Sequence, residues 1–370
     1  MCTIRALAGG VARSIYSSIR FASLTLIAIA ACGRVGFNNN GETADAPSMS
    51  QALPLVCSDH DLINIAFPDR NVDVSAIETP SGLSVTWAPL VGGPLYGIKL
   101  DPNWQITSDM SATSIKPGTW YSSSLGFVDD MLVMGESDGG SIKLDTVQSN
   151  MASATEQACP SADRVSKPPF VNAGPDTISL TTWIDGLTVR PFASDWTPTP
   201  PVLTEPSDEP VAVTAMTFGA TAVVAWSTPT ACDVEQLGDM ATGMRVQSTT
   251  ACLAPRLAAS ETTVAFVREQ PDGVYLSVAA PSDLFASPML VGPNGTSPRI
   301  AFDGQRFWIS YFDGTQLVVG YLGLDGTLHS TTVAATPAHD AYELTIVGGA
   351  PWLIVVDGAG LVAHKLCVPA

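Results

Sequence analysis

The chain has 370 residues, and 17 Lys or Arg against 35 Asp or Glu give it a formal net charge of −18 at pH 7. This charge argues against nucleic-acid binding, because phosphates would repel the protein and no counterions would be released. Hydrophobic residues make up 46% of the chain and charged residues 14%, which excludes a disordered protein and allows a large core.

Residues 1–31 have the layout of a secretory signal peptide. They contain Arg5, Arg13 and Arg20 but no acid, and they end in the apolar run 21–31. That run is about 11 residues long, whereas a membrane-spanning helix needs about 20. The sequence therefore predicts an export signal that is removed, not a transmembrane helix.

A more specific pattern lies where this segment ends. The run Ile29-Ala30-Ala31-Cys32-Gly33 resembles the lipobox of bacterial lipoproteins. The resemblance implies cleavage between Ala31 and Cys32 and acylation of Cys32. In such lipoproteins an Asp directly after the acylated cysteine retains the protein in the inner membrane. Because Gly33 occupies that position here, the resemblance also implies anchoring in the outer membrane, on its periplasmic or its surface face. The alternative is cleavage by the ordinary signal peptidase, with Cys32 an incidental thiol.

The remaining chain divides into a tether and a body. Residues 32–56 include a polar stretch typical of a flexible tether, and residues 57–370 form the predicted folded domain. Because the body is anionic, we expect anionic headgroups to repel it and the lipid to be its only membrane contact. We expect a monomer.

An apolar segment rich in β-formers recurs along residues 57–370, with 40 to 49 residues between successive copies. Regular recurrence at this period indicates a repeat array. The copies are Leu83–Trp87, Met131–Met134, Ile178–Trp183, Ala222–Trp226, Thr263–Phe266, Phe307–Tyr311 and Trp352–Val356.

Turn signals give each repeat the content of a propeller blade. Asp-Gly pairs such as Asp272-Gly273 and Asp313-Gly314 follow most copies, as expected for tight hairpins. Each unit is predicted to contain four strands, so the chain resembles the broad β-propeller class, although it lacks the signatures of WD, kelch, Asp-box and quinoprotein repeats. The predicted fold is an all-β, seven-bladed propeller of four-stranded blades. Six or eight blades, or a β-sandwich, are the alternatives.

Both chain ends are predicted to share the last blade. The seventh unit lacks a fourth strand, and the apolar run Leu62–Phe67 precedes the first unit without a blade of its own. Pairing this run with Leu361–Cys367 closes the ring and leaves no large open edge. In that pairing Cys57 approaches Cys367, so these two cysteines are candidates for a disulfide.

Export also makes other disulfides reasonable. Cys232 and Cys252 flank what reads as a longer insert in the fourth unit and are a second candidate pair. Cys159 is then left over, and a Cys57–Cys159 bond is the competing arrangement. No Cys-x-x-Cys pattern supports a zinc or redox site.

Few residues suggest chemistry. The four histidines form no metal or nucleophile motif, so we expect no metal, no cofactor and no catalytic residues. The cluster Asp59-His60-Asp61 is interpreted as a solvated acidic turn. Arg256 and Arg299 recur at one blade position, where they line the channel and bind an anionic ligand, or form structural ion pairs.

Two functions are compatible with these features. The first is a non-enzymatic binding or scaffold module for an envelope protein or a glycan, which requires no local motif. The second is a propeller enzyme, a hydrolase or lyase acting on glycans, whose catalytic groups come from several blades at the central channel.

Overall fold

The computed structural model describes residues 55–63, 72–89, 93–107, 116–120, 122–128, 131–137, 142–147, 154–161, 170–173, 178–183, 187–192, 203–205, 212–219, 221–237, 244–333, 341–357 and 360–368. The predicted signal peptide, with Ala31 and Cys32, and the tether up to residue 54 lie outside these ranges. No helix in the described part of the chain has the length and apolar character needed to cross a bilayer.

The described residues form antiparallel sheets of four strands, and in most of them the strands follow each other in chain order. Sheet 1 contains β2 (Val72–Thr79), β3 (Gly82–Pro89), β4 (Gly93–Leu100) and β5 (Lys116–Trp120). Sheet 2 contains β6 (Ser122–Val128), β7 (Met131–Ser137), β8 (Ile142–Val147) and β9 (Ala154–Ser161). Sheet 3 contains β10 (Phe170–Ala173), β11 (Ile178–Trp183), β12 (Leu187–Phe192) and β13 (Leu203–Glu205).

The second half of the chain continues the pattern. Sheet 4 contains β14 (Ala212–Phe218), β15 (Thr221–Ser227), β16 (Cys232–Leu237) and β17 (Met244–Ser248). Sheet 5 contains β18 (Leu253–Ala259), β19 (Val264–Gln270), β20 (Gly273–Ala279) and β21 (Met289–Pro293), with a short 3₁₀ turn at Pro281–Asp283. Sheet 6 contains β22 (Thr296–Phe302), β23 (Phe307–Phe312), β24 (Leu317–Leu322) and β25 (Leu328–Val333).

Sheet 7 joins the two ends of the described chain. It contains β26 (Tyr342–Val347), β27 (Ala350–Asp357), β28 (Gly360–Leu366) and, beside β28, the first strand β1 (Val56–Ile63). The first strands of successive sheets contact each other in the order β2, β6, β10, β14, β18, β22, β26 and β2 again. This is the predicted β-propeller with four-stranded blades. The β-sandwich alternative is wrong, because the sheets follow one another in a cycle and do not pack as one face-to-face pair.

The core lies between neighbouring sheets, which explains why recurring segments such as Ala222–Trp226 and Trp352–Val356 are apolar without interruption. On β27, Trp352, Ile354 and Val356 pack against sheet 1, whereas Leu353 and Val355 pack against sheet 6. A strand buried on both faces has no polar face, so its sequence does not alternate. Every recurring segment lies on the second strand of its sheet.

The closing strand differs from the prediction. β1 pairs with β28 from Val56 opposite Leu366 to Ile63 opposite Leu361, so the strand begins six residues before the predicted start at Leu62. Residues 64–67 lie outside the described residues. The apolar run misled the prediction, because an outermost strand needs few apolar side chains, and half of the residues of β1 are polar.

Two cysteine pairs lie at disulfide distance. Cys57 and Cys367 have their Cα atoms 6.0 Å apart, and Cys232 and Cys252 have theirs 5.4 Å apart. The competing Cys57–Cys159 arrangement is therefore not the one in the structure. Cys159 lies on β9, and its side chain is outside the described part.

The interpretation of the fourth unit was wrong in one respect. Cys232 begins β16, and Cys252 directly precedes β18. The segment between them is not an insert, because it contains the regular strand pair β16–β17. The pair therefore links sheet 4 to the start of sheet 5.

Candidate binding groove between the first and last sheets

A groove of about 700 Å³ opens between sheets 1 and 7. Its walls come from three connections: the β2–β3 turn, the loop after β4 and the β26–β27 turn. Trp104, Pro80 and Pro102 line it from sheet 1, and Trp352 and Lys365 line it from sheet 7. The groove is therefore made from both ends of the described chain.

The β26–β27 turn is built around two glycines. Gly348 and Gly349 have φ angles of 59° and 72°, which match the two central positions of a type I′ hairpin turn. The Gly348 N–H donates a 2.6 Å hydrogen bond to Glu78 Oε1, so the turn of sheet 7 is held to the end of the first strand of sheet 1.

The loop after β4 presents a tryptophan. Asp101 Oδ1 accepts hydrogen bonds from the backbone N–H groups of Asn103 and Gln105, both at 2.8 Å. Trp104 adopts φ = 64°, a left-handed conformation that bulky residues rarely occupy. Its N–H donates to the Asp101 carbonyl at 2.9 Å. These hydrogen bonds hold the loop in an unfavourable conformation that places one indole ring in the groove.

That ring packs against a second indole. The ring centroids of Trp104 and Trp352 are 3.8 Å apart, and their planes are inclined by 38°. Trp352 is 4% exposed, so Trp104 is the more accessible ring of the pair. Lys365 lies opposite Trp352 on the neighbouring strand, with its Nζ 5.8 Å from the Trp352 ring centroid.

Two charged side chains of opposite sign line the groove with unused bonding capacity. The second oxygen of Glu78, Oε2, has no hydrogen-bond partner among the described residues. The Lys365 ammonium likewise has no carboxylate partner within the ranges that the structure describes. The groove therefore offers one free acceptor and one free donor beside an aromatic pair.

The β2–β3 hairpin, which forms one wall of the groove, requires a glycine at one position. Gly82 has φ = 127°, and a Cβ atom there would lie 1.9 Å from the Leu100 carbonyl oxygen. No other residue type can occupy this position without moving β4. The close approach of the two strands, and with it this wall of the groove, depends on Gly82.

The two arginines singled out in the sequence lie elsewhere. Arg299, on β22, is 3% exposed, and its Nε is 3.4 Å from Glu343 Oε2 on β26. Its guanidinium carbon also lies 5.1 Å from the Tyr342 ring centroid. This ion pair joins the first strands of sheets 6 and 7. Of the two roles considered for Arg299, ligand binding and a structural ion pair, the structure contains the second. The ligand-binding role of Arg299 stays a prediction.

Arg256 occupies the corresponding position on β18. It is half-buried, and its Nη1 donates to the Pro255 carbonyl at 3.1 Å. Both arginines follow a β-bulge that contains a residue with positive φ, Ala254 at 43° and Ser297 at 52°. The recurrence of Arg256 and Arg299 at one position of the repeat thus reflects a β-bulge that is repeated in the two sheets.

A third arginine is buried with no carboxylate partner among the described residues. Arg268, on β19, is 2% exposed and donates to Ser277 Oγ at 3.1 Å. Its guanidinium carbon lies 5.2 Å from the ring centroids of Phe266 and Phe285. Burial lowers the pKa of Arg268 from its ordinary value to about 10, because removal from water disfavours the charged form.

The Asp59-His60-Asp61 cluster lies on β1 and not in a turn, and its side chains are outside the described part. Within the residues that the structure does describe, no three His, Cys, Asp or Glu side chains are grouped closely enough to hold a metal ion.

The sequence alone did not reveal the groove. Glu78, Trp104 and Lys365 belong to no repeat and no motif, and they come together only when the first and last sheets meet. The one available signal was Trp104, a large aromatic residue in the polar run Asp101–Gln105.

Comparisons with solved structures agree on the fold. A chain in the crystal structure of the mitotic checkpoint complex superposes with a TM-score of 0.56 at 11% identity, covering 91% of this chain and 99% of that one. U3-55K gives 0.57 at 11%, covering 83% and 98%. The WD40 repeats of RRP9 give 0.55 at 11%, covering 84% and 97%. No protein-family model and no curated protein matches the chain. Similarity at this level establishes the β-propeller fold alone.

Proposed function

We propose that this chain is an exported, lipid-anchored bacterial protein whose propeller is a non-enzymatic binding or scaffold module for an envelope protein or a glycan. The observation that carries the proposal is the groove between sheets 1 and 7. There an indole pair lies beside the Glu78 carboxylate and the Lys365 ammonium on one concave surface, and these two charged groups have part of their bonding capacity unused among the described residues. Such a site binds without needing a catalytic group.

The structural neighbours support this class of function. One of them is a chain of an assembly, the mitotic checkpoint complex, and another consists of WD40 repeats. A rigid array of sheets that presents connecting loops suits the same use in this chain.

We further propose that the sheets form a single closed ring of seven blades. The support is the cycle of contacts among the first strands, which returns from β26 to β2. Pairing of β1 with β28 and the proximity of Cys57 to Cys367 support closure by the two chain ends.

The lipid anchor rests on the sequence around Cys32. Metabolic labelling with an alkyne fatty acid should label the wild type and leave Cys32→Ala unlabelled. Equal labelling of both proteins would contradict the anchor and leave the binding proposal untouched. Fractionation of the labelled cells should then place the wild type in the outer membrane.

The binding role is tested by capture from intact envelopes. The wild type should retain envelope components that Trp104→Ala loses. Leu324→Ala is the matched control, because Leu324 is 92% exposed on the β24–β25 turn of sheet 6 and does not line the groove. Equal capture by all three proteins would contradict a role for the groove. Loss with Leu324→Ala as well would indicate a nonspecific effect.

A further inference from the structure

The geometry points to a neutral oligosaccharide as the ligand of this groove, an inference that rests on the binding function proposed above. The ligand class follows from the kinds of side chain that face the groove, the hydrogen bonds they leave unmade and their net charge.

The aromatic pair suits a ring with an apolar face. Trp352 is buried against sheet 1 and backs Trp104, whose loop is fixed by the two hydrogen bonds to Asp101. An indole supported in this way is a flat, preorganised surface, and little freedom is lost when a ligand stacks on it. The C–H faces of a pyranose ring have the size and polarity to stack on such a surface.

The polar groups require a ligand with both donors and acceptors. Glu78 Oε2 can only accept hydrogen bonds, and the Lys365 ammonium can only donate them. Sugar hydroxyls satisfy both, and hydrogen bonds to charged groups are the stronger kind. A proline-rich peptide, the other ligand that favours aromatic grooves, supplies carbonyl acceptors but few N–H donors, because proline has none. It would leave Glu78 Oε2 without a partner.

Charge favours a neutral ligand. Glu78 and Lys365 contribute opposite charges, so the groove has no net charge from these two side chains. The chain as a whole has a net charge of −18, which disfavours the approach of anionic polysaccharides. A cationic ligand would be repelled by Lys365 at the aromatic surface itself.

The volume is that of a small-ligand site. About 700 Å³ lies inside the usual range for such pockets, and it suits a few sugar rings and not a folded partner. Pro80 and Pro102 add rigid apolar edges to the walls.

The test is calorimetric titration of the purified protein with neutral tetrasaccharides: cello-, malto-, laminari- and chitotetraose. A proline-rich decapeptide and tetragalacturonate, an anionic sugar, serve as competing ligand classes. We expect at least one neutral tetrasaccharide to bind, and Trp104→Ala to weaken it about tenfold or more, which corresponds to the loss of one stacked ring.

Two further variants probe the polar groups while keeping the groove intact. Glu78→Gln retains an oxygen for the Gly348 N–H but replaces the free acceptor, and Lys365→Met retains the alkyl stem over Trp352. Each variant should lower the affinity for the sugar by about threefold to tenfold, whereas Leu324→Ala should leave that affinity unchanged. Thermal unfolding of every variant confirms that it is folded.

The outcomes separate this inference from the proposed function. Binding of the peptide or of tetragalacturonate in place of the neutral sugars, or sugar binding that Trp104→Ala leaves unchanged, would overturn the inference. If no sugar binds but envelope capture still depends on Trp104, the ligand class is wrong and the binding function stands. If capture and sugar binding both fail, both proposals are wrong.

Discussion

Reduction of the Cys57–Cys367 pair should destabilise the protein more than reduction of the Cys232–Cys252 pair. The first pair joins residues 310 positions apart, and the second joins residues 20 positions apart. A crosslink restricts the unfolded chain more when it closes a longer loop, and the free energy grows as three-halves RT times the logarithm of loop length. For these two loops the expected difference is about 2.4 kcal/mol.

The assay compares two variants, each of which keeps one bond. Cys232→Ala/Cys252→Ala keeps the long-range bond, and Cys57→Ala/Cys367→Ala keeps the short-range one. Each is unfolded in urea with and without reductant, so that packing lost on substitution cancels within each sequence. Because Cys232 and Cys252 are buried and Cys57 is exposed, this cancellation is necessary.

The long-range bond should contribute the larger difference between oxidised and reduced forms. An equal or smaller difference for that bond would contradict the loop-closure explanation, because it would mean that β1 and β28 stay together in the unfolded chain without the crosslink. The absence of any effect of reductant would show that Cys57 and Cys367 are not bonded.

Three further changes test the packing between and within sheets. Gly82→Ala should lower the free energy of unfolding in urea by at least about 3 kcal/mol, because the added Cβ has no room. Gly219 also has a positive φ, but a Cβ there meets no atom within 4 Å, so Gly219→Ala should cost only about 1 kcal/mol. Equal losses for the two variants would contradict the steric explanation. Glu343→Gln should cost about 1–3 kcal/mol by removing the charge beside buried Arg299, and an unchanged midpoint would argue against an ion pair. Arg268→Met should be most favourable relative to the wild type near pH 8, and this advantage should shrink by pH 11. The pKa of Arg268 in the folded state is about 10, below its value in the unfolded chain. Above pH 10 the unfolded wild type therefore binds more protons than the folded wild type, and the stability of the wild type rises with pH. A relative stability that is flat between pH 8 and pH 11 would contradict the depressed pKa.

The sequence revealed second strands such as β15, β19, β23 and β27 because these strands are buried on both faces. Val223, Val224, Ala225 and Trp226 on β15 are each 0% exposed, and such a run cannot be mistaken for a surface segment. The hairpin turns were equally recognisable: Gly273 and Gly314 have φ angles of 143° and 94°, as Asp-Gly turns predict.

The outermost strands were harder to place, since they bury little and carry no fixed pattern. Cys57 to Asp61 form most of the closing strand although nearly every residue there is polar. The prediction therefore placed the closing strand on the apolar run that begins at Leu62, and the approach of Cys57 to Cys367 followed from that pairing.

The groove was beyond the reach of the sequence for a different reason. Glu78 and Gly348 are hydrogen-bonded although they lie 270 residues apart in the sequence, and Trp104 and Trp352, which are in contact, have a similar separation in sequence. These contacts between sheets 1 and 7 depend on the strand register and on the closure of the whole ring, and no local sequence pattern encodes either.

A crystal structure with experimental phases would decide whether the two chain ends close one ring. We expect seven four-stranded sheets around one channel, with β1 paired to β28 and Trp104 against Trp352 in an open groove. A map with a different number of sheets, or with residues 56–63 far from residues 360–366, would contradict ring closure by the chain ends.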